Sequence, residues 1–262
     1  MSIVSVPFTE YLAADAVSSH YLIDVLARSP LHAQYFREHD RDTDALKFGR
    51  AFHTALLEPA ELLSRYVAVP KLDGRTKEGK AAKAALPTDK EHLDVTEMAR
   101  IQAMVAALRG FSSARTYLQG CYATEQSIFW EQGGLKCKAR LDGLGNGYVM
   151  DLKTCADASA LAFERSIARY GYYIQAAWYM NAARSQNLLV SEYVLIAVES
   201  EPPFGVQVFR LDEGYLEAAN EKIEDALAQH RRCIKDKVWR GYPDKAHDVL
   251  CPAWLATAEY ES

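Results

Sequence analysis

Three carboxylates in one stretch of this chain are spaced to face one another, and a lysine follows the last of them. They are Glu125, Asp142 and Asp151, with Lys153 two residues on. Asn146-Gly147 is a strong hairpin signal, because a type I′ turn needs φ > 0 at both central positions. With those two residues as the turn, Gly145 faces Tyr148 and Asp142 lies directly opposite Asp151. Opposed side chains in an antiparallel pair are ~4.5–5.5 Å apart at Cβ, and like charges there destabilise the sheet. Two opposed aspartates therefore require a cation. Carboxylates suit Mg²⁺ or Mn²⁺, which take oxygen ligands in near-octahedral geometry. A bound metal lowers the pKa of its water, and a neighbouring ammonium stabilises developing negative charge. This set suits hydrolysis of a phosphodiester.

Gly133-Gly134 is the preceding turn. It pairs Gln132 with Leu135 and sets Glu125 opposite Asp142, so that the acids form a row across three strands. A turn at Gln132-Gly133 keeps the same faces but sets Glu125 opposite Arg140. The same counting gathers Ile128, Trp130, Cys137, Ala139, Leu141, Met150 and Leu152 on the reverse face. That pattern predicts a sheet with one side on the core.

Further residues could complete the site. His53 sits on a predicted helix with Gly49 four residues earlier. Helical side chains lean over position i−4, so a glycine there leaves room above the imidazole for a metal or a substrate backbone. The plain alternative is a core-edge histidine satisfied by a carbonyl. Lys47, Arg50 and Thr54 follow helical spacing and form either a polar rim for phosphates or a solvated face. Gln175 opens a later helix after Tyr172-Tyr173 and is expected to point at the acids.

The elements that must position these residues are legible from capping and periodicity. Helices are predicted at 17–28, capped by Ser18 or Ser19, then to about Arg37, and at 43–58, ended by Pro59. Residues 60–66 continue as helix and 92–118 are helical. A three-stranded meander spans 123–154 and helices follow at 157–169 and 173–185. Strands at 189–199 and 204–210 precede a long helix from 212 to about 235 and an irregular tail with Trp239, Pro243 and Trp254. The order reads as one mixed α/β domain, a central sheet flanked by helices. It divides into a helical part at 15–118, a sheet core at 120–235 and a tail at 236–262. Residues 71–90 carry Lys71, Arg75, Lys77, Lys80, Lys83 and Lys90 against Asp73, Glu78 and Asp89. That stretch is either a solvated loop with a short Ala/Lys helix or a DNA-contacting flap, whose phosphate contacts would make binding salt-dependent.

Composition sets the outer bounds. With 49% hydrophobic and 25% charged residues the chain is an ordinary globular protein. A net charge of −5 excludes a surface coated in positive charge, though not a basic groove. With no apolar run of ~18 residues and no signal-peptide pattern at Met1, a cytoplasmic protein is expected. The cysteines, Cys121, Cys137, Cys155, Cys233 and Cys251, are odd in number and form no C-x-x-C, which argues against a disulfide framework or zinc module. There is no G-x-S-x-G nucleophile elbow.

Taken together, His53, Glu125, Asp142, Asp151-Leu-Lys153 and Gln175-Ala-Ala-Trp-Tyr179 resemble the PD-(D/E)XK nuclease superfamily, most closely its RecB-like branch. Phe48-Gly-Arg-Ala-Phe-His53-Thr-Ala-Leu-Leu-Glu-Pro59, Gly74-Arg-Thr-Lys-Glu-Gly-Lys80, Glu125-Gln-Ser-Ile-Phe-Trp130 and Cys137-Lys-Ala-Arg-Leu-Asp142 are similar to the RecE-type exonuclease domain, exodeoxyribonuclease VIII. The resemblance spans about 15–255. It implies a restriction-endonuclease-like core and a Mg²⁺-dependent exonuclease, with Mn²⁺ as a substitute. Such an enzyme degrades one strand of linear duplex DNA 5′→3′ and leaves a 3′ overhang for a single-strand annealing recombinase of the RecT or Redβ type. It also implies a ring, tetrameric in the RecE type and trimeric in the lambda type. Carried over, His53, Asp142, Asp151 and the Leu152 carbonyl would be metal ligands, Lys153 the catalytic lysine, and Glu125 and Gln175 supporting residues. Lys47, Arg50, Arg75, Lys77, Lys80 and Arg140 are the cations expected to meet DNA. Leu141 stands where the superfamily name has proline.

Two other readings compete. A RecB-like endonuclease or structure-specific nuclease would share the core, although Cys233 and Cys251 do not fit the iron–sulfur members. A silent DNA-binding module would have no use for opposed acids beside a lysine.

Overall fold

Both predicted hairpins form, and their registers set the frame of the fold. The structure is a computed structural model; it describes residues 2–39, 42–70 and 75–251, without the Ser2 and Lys83 side chains. Lys71, Asp73 and Gly74 of the basic stretch, and Trp254, lie outside the described residues. The chain begins with β1 (Ser2–Val4), α1 (Phe8–Ala13), α2 (Ser19–Ala27), α3 (Pro30–Glu38), α4 (Asp44–Leu57) and a 3-10 turn (Pro59–Glu61). It continues with α5 (Leu62–Arg65), β2 (Tyr66–Val69), α6 (Lys77–Ala84), β3 (Glu91–Asp94), α7 (Val95–Gly110) and α8 (Ser112–Gly120). The central part is β4 (Cys121–Gln132), β5 (Leu135–Gly145), β6 (Tyr148–Cys155), α9 (Ala160–Tyr170) and α10 (Tyr172–Ser185). β7 (Glu192–Glu199), β8 (Val206–Leu211) and α11 (Glu213–Asp236) complete it.

The main sheet has six strands in the order β1-β4-β5-β6-β7-β8. β6 and β7 run parallel, joined through α9 and α10, and the other neighbours are antiparallel. β2 and β3 form a separate parallel pair. Residues 60–66 and 92–118 are therefore not wholly helical: Tyr66 starts β2, β3 precedes α7, and Phe111 separates α7 from α8. Asp94 and Glu97 make a capping box that starts α7 inside the stretch read as one helix.

The turns differ in kind. Gly133 and Gly134 both have positive φ, 55° and 77°, as a type I′ turn requires, and Gln132 pairs with Leu135. At Asn146-Gly147 only Gly147 has φ > 0 (86°), so this turn is not type I′. Gly145 nonetheless pairs with Tyr148. Residue 145 must be small, because a Cβ there would lie 2.1 Å from the Tyr148 ring.

The expectation of one apolar face is corrected. Ile128, Trp130, Cys137, Ala139 and Leu141 belong to the core covered by α2, α9, α10 and α11, whereas Met150 and Leu152 belong to the core under α4, α7 and α8. Two local events break the count. Glu125 has φ 52°, which interrupts the alternation of β4. The β5–β6 ladder runs only from Gly145↔Tyr148 to Gly143↔Met150. Beyond it, the Leu152 N–H donates to Asp142 Oδ2 (2.8 Å) instead of to a strand carbonyl. The sheet is buried on both faces, and its strands part at the acids.

In the first core, the Tyr21 hydroxyl and His230 Nδ1 share a hydrogen bond (2.8 Å). Burial pulls the His230 pKa from 6.5 down to about 4, so the imidazole stays neutral in the fold. The unfolded chain binds a proton there from about pH 6.5 downward and the folded chain does not until about pH 4. Stability is therefore lost as pH falls through that window, by up to ~3 kcal/mol. Urea unfolding at pH 7 and pH 4.5 should show this loss, and His230→Gln should be much flatter.

Candidate active site

The parted strands, the middle of α4 and the start of α10 meet at one place. α4 is capped by Thr43, whose hydroxyl accepts from Leu46 N, and its buried stripe of Phe48, Ala51, Phe52 and Ala55 fixes its rotation. That rotation turns His53 toward β6. Its Nε2 donates to the Leu152 carbonyl (3.2 Å) and its Nδ1 is 3.5 Å from Asp142 Oδ2. A glycine at 49 is not what makes room, since a Cβ there would meet only Thr154 Oγ1, at an ordinary contact distance of 3.9 Å. α10 starts after Gly171 (φ 69°) and buries Gln175, whose Nε2 donates to Asp151 Oδ1 (3.1 Å). The other Asp151 oxygen lies 2.5 Å from Lys153 Nζ. Lys153 Nζ also sits over the Tyr172 ring, 4.9 Å from its centroid.

Glu125 reaches the same place through the positive φ of its backbone. Its Oε2 accepts from Arg140 Nε (2.7 Å). One ligand atom each from His53, Glu125 and Asp142 lie within 4.8 Å of one another. Metal–oxygen bonds of ~2.1 Å put opposite ligands of an octahedral ion ~4.2 Å apart, so the spread fits a divalent cation with slight closure. An imidazole and carboxylates are also the right donors for one. The residues therefore fit a metal, with Glu125 inside the group and Asp151 turned toward Lys153 and Gln175.

The charges interlock. Burial works against the His53 cation, but Asp142 and then Glu125 outweigh it and push the pKa up to about 9. Asp142 is held below the ordinary carboxylate range despite its burial, by His53, Lys153 and the Leu152 N–H. Burial pushes Asp151 up to about 6 against the pull of Lys153. Lys153 is raised: burial opposes its charge, but Asp151 and Asp142 stabilise it more. Burial and Asp142 raise Glu125, opposed by His53 and Arg140. A cation bound here would replace the His53 proton.

The predicted DNA-facing cations divide. Arg140 is corrected: it is buried, and besides Glu125 its Nη1 donates to the Val6 carbonyl (2.9 Å) and Ser127 Oγ (3.1 Å), tying the N-terminal segment to the sheet. β5 carries it inward because Arg140 pairs with Ser127, itself fully buried. Arg50 is held by both Asp42 oxygens (2.7 and 2.8 Å) and by Glu91 (3.1 Å). Thr54 is buried and donates to the Arg50 carbonyl, so it is no part of a rim. Arg75, Lys77 and Lys80 are exposed and Lys47 is half-buried. Tyr172 was not singled out for the lysine; its place one turn before Gln175, on the same helix face, was the available signal.

Among the described residues no helix is long and apolar enough to cross a membrane. No curated protein matches the chain. The crystal structure of a protein provisionally named an exonuclease, from Eubacterium rectale, superposes with a TM-score of 0.69 over 98% of this chain and 99% of that one, at 15% identity, which shows the shared fold. A phage-related exonuclease from Haemophilus somnus 129PT covers 88% of this chain and 100% of its own at 11% identity, with a TM-score of 0.40, too low to argue from. A family model described as a PDDEXK-like domain of unknown function, DUF3799, matches residues 19–249. With that match over most of its length, the mixed sheet flanked by helices and the acid–lysine cluster where the strands part, the chain belongs to the PDDEXK-like family, in keeping with its RecE-type resemblance.

Proposed function

We propose that the chain is a divalent-metal-dependent nuclease, and more finely a Mg²⁺-dependent 5′→3′ exonuclease on linear duplex DNA. The observation that carries the reading is the joining of two groups: His53, Glu125 and Asp142 within 4.8 Å, and the Asp151–Lys153 pair at 2.5 Å beside them. His53, Asp142 and Glu125, with the Leu152 carbonyl and Asp151 at hand, would hold the ion. When bound, it would neutralise the scissile phosphate and lower the pKa of the attacking water. Lys153 is kept as an ammonium by two aspartates, so it donates rather than accepts. It would orient the water or stabilise charge on a phosphoryl oxygen. Asp151 positions Lys153, and Gln175 positions Asp151. The Leu152 N–H holds Asp142 Oδ2 in place, so the acid would need little reorganisation to hold a metal ion.

Polarity, the linear duplex substrate, the annealing partner and a homo-oligomeric ring follow from the RecE-type resemblance. Lys47, Arg75, Lys77 and Lys80, which are exposed or half-buried, would meet the DNA backbone. Digestion of a linear duplex labelled at either 5′ or 3′ ends, beside a closed circle, tests the finer reading. Early release of the 5′ label with the circle intact is expected; attack on the circle would replace the exonuclease with an endonuclease. Gln175→Ala should reduce the rate ~10–100-fold, as loss of a group supporting a metal-site carboxylate does, with an unchanged circular dichroism spectrum.

A further inference from the structure

β7 is buried from Tyr193 to Val198, and Tyr193 alone among those residues carries a polar side-chain atom. A buried tyrosine hydroxyl ordinarily finds a hydrogen-bond partner. This one makes no hydrogen bond of ordinary geometry among the described residues. The sheet register fixes what it faces. β6 and β7 run parallel, with Tyr193 beside Val149 and Leu195 beside Asp151. Residues two apart on a strand share a face. Tyr193 and Leu195 belong to the core under α10, and Asp151 meets Gln175 of that helix, so all three point the same way. At ~3.3 Å per residue, Tyr193 starts ~7 Å before Asp151 along the sheet. A tyrosine leaning along its strand covers that offset. Its ring stands tilted against that of Tyr179, 6.5 Å between centroids at 62°. Burial first, and then the Asp151 carboxylate it lies against, push the phenol well above its usual range, which keeps it a donor.

Asp151 is 1% exposed, and its two oxygens meet Gln175 Nε2 (3.1 Å) and Lys153 Nζ (2.5 Å). The buried carboxylate thus has two donors in place and a third beside it. A carboxylate can accept at about four positions, so the third donor has somewhere to go. In the nuclease reading, Lys153 gives its ammonium to the attacking water or to a phosphoryl oxygen. What it gives to the substrate is lost to Asp151, and a buried charge short of a partner is costly.

We propose that Tyr193 is a positioning residue for Asp151: its hydroxyl takes over the carboxylate as Lys153 turns to the substrate, so that the acid keeps its place. The inference rests on the nuclease reading for the occasion of this exchange, while the exchange itself is a property of the folded chain. Its test is a double-mutant cycle read by urea unfolding in EDTA, with wild type, Tyr193→Phe, Lys153→Met and the two combined. Methionine keeps an apolar stem and removes the ammonium; Lys153→Ala serves as a second background. With Lys153 in place, Tyr193→Phe should leave the folding equilibrium constant unchanged or raise it, because it removes a hydroxyl without a partner. Without the ammonium, Tyr193→Phe should lower that constant ~10-fold, the scale of one buried hydrogen bond. A tyrosine with a purely structural role would show the same change in every background. Hydrolysis of linear duplex in Mg²⁺ is followed separately. There Tyr193→Phe should lower kcat ~10-fold, as loss of a group behind a site carboxylate does, with KM little changed. Equal effects of Tyr193→Phe with and without the ammonium, or an unchanged kcat in an active enzyme, would overturn the proposal. The predicted cycle without hydrolysis by wild type removes the nuclease reading and leaves the exchange; hydrolysis without the cycle does the reverse.

Discussion

Lys153→Ala is expected to lower hydrolysis of linear duplex DNA by ~10²–10³-fold or more, the scale for removing one fixed donor from developing charge, while the chain still folds. Folding survives because Asp151, already pushed by burial up to about 6, can take up a proton once its ammonium partner is gone. Asp151→Ala should be comparably inactive, since Lys153 then loses the partner 2.5 Å away that positions it. Arginine at 153 keeps the charge, but its planar fork cannot take the place of a point ammonium between Asp151 and the Tyr172 ring, so little rescue is expected. Full activity in Lys153→Ala, with an unchanged melting profile, would remove this residue from the chemistry.

The second large effect concerns stability. Arg140→Ala should cost ~3–5 kcal/mol, as breaking a buried ion pair does, read as a shifted midpoint in urea unfolding. Arg140 is 8% exposed and holds Glu125, Ser127 and the Val6 carbonyl at once. Its removal leaves the Glu125 carboxylate half-buried without its partner and frees the segment before α1. Arg140→Lys should recover only part of the loss, because one ammonium cannot span three acceptors in a fixed fork. A merely DNA-contacting arginine would behave differently: its loss would weaken DNA binding in a salt-dependent way and leave the urea midpoint in place.

The parts of this protein legible in its sequence are those fixed by local chemistry. Gly133-Gly134 and Asn146-Gly147 gave the strand registers, because tight turns leave few choices of pairing. Asp142, Asp151 and Lys153 followed by counting along those strands. A serine cap marked the start of α2 and Pro59 the end of α4. What escaped depends on distant partners. Whether Met150 and Leu152 share a face with Leu141 is decided by where β5 and β6 part, and the Leu152 N–H bond to Asp142 that parts them joins residues ten apart in sequence. Arg140 looked like any basic strand residue until β1 and α1 were in place over it. β2 and β3 are only four residues each and pair with one another across α6, so no local signal separated them from helix. The left-handed backbone at Glu125, which carries its carboxylate into the ligand group, has no residue-type signature: glutamate is not a residue that favours positive φ.

The most direct measurement is the rate of linear duplex hydrolysis by the purified chain as Mg²⁺ is raised from an EDTA-treated start, with His53→Ala and Asp142→Ala in parallel. No hydrolysis in EDTA, recovery as Mg²⁺ is added to wild type, and a response in the two variants displaced to far higher Mg²⁺ or lost is the predicted result. Hydrolysis that persists in EDTA, or one that follows Mg²⁺ identically in all three proteins, would contradict the assignment of this site.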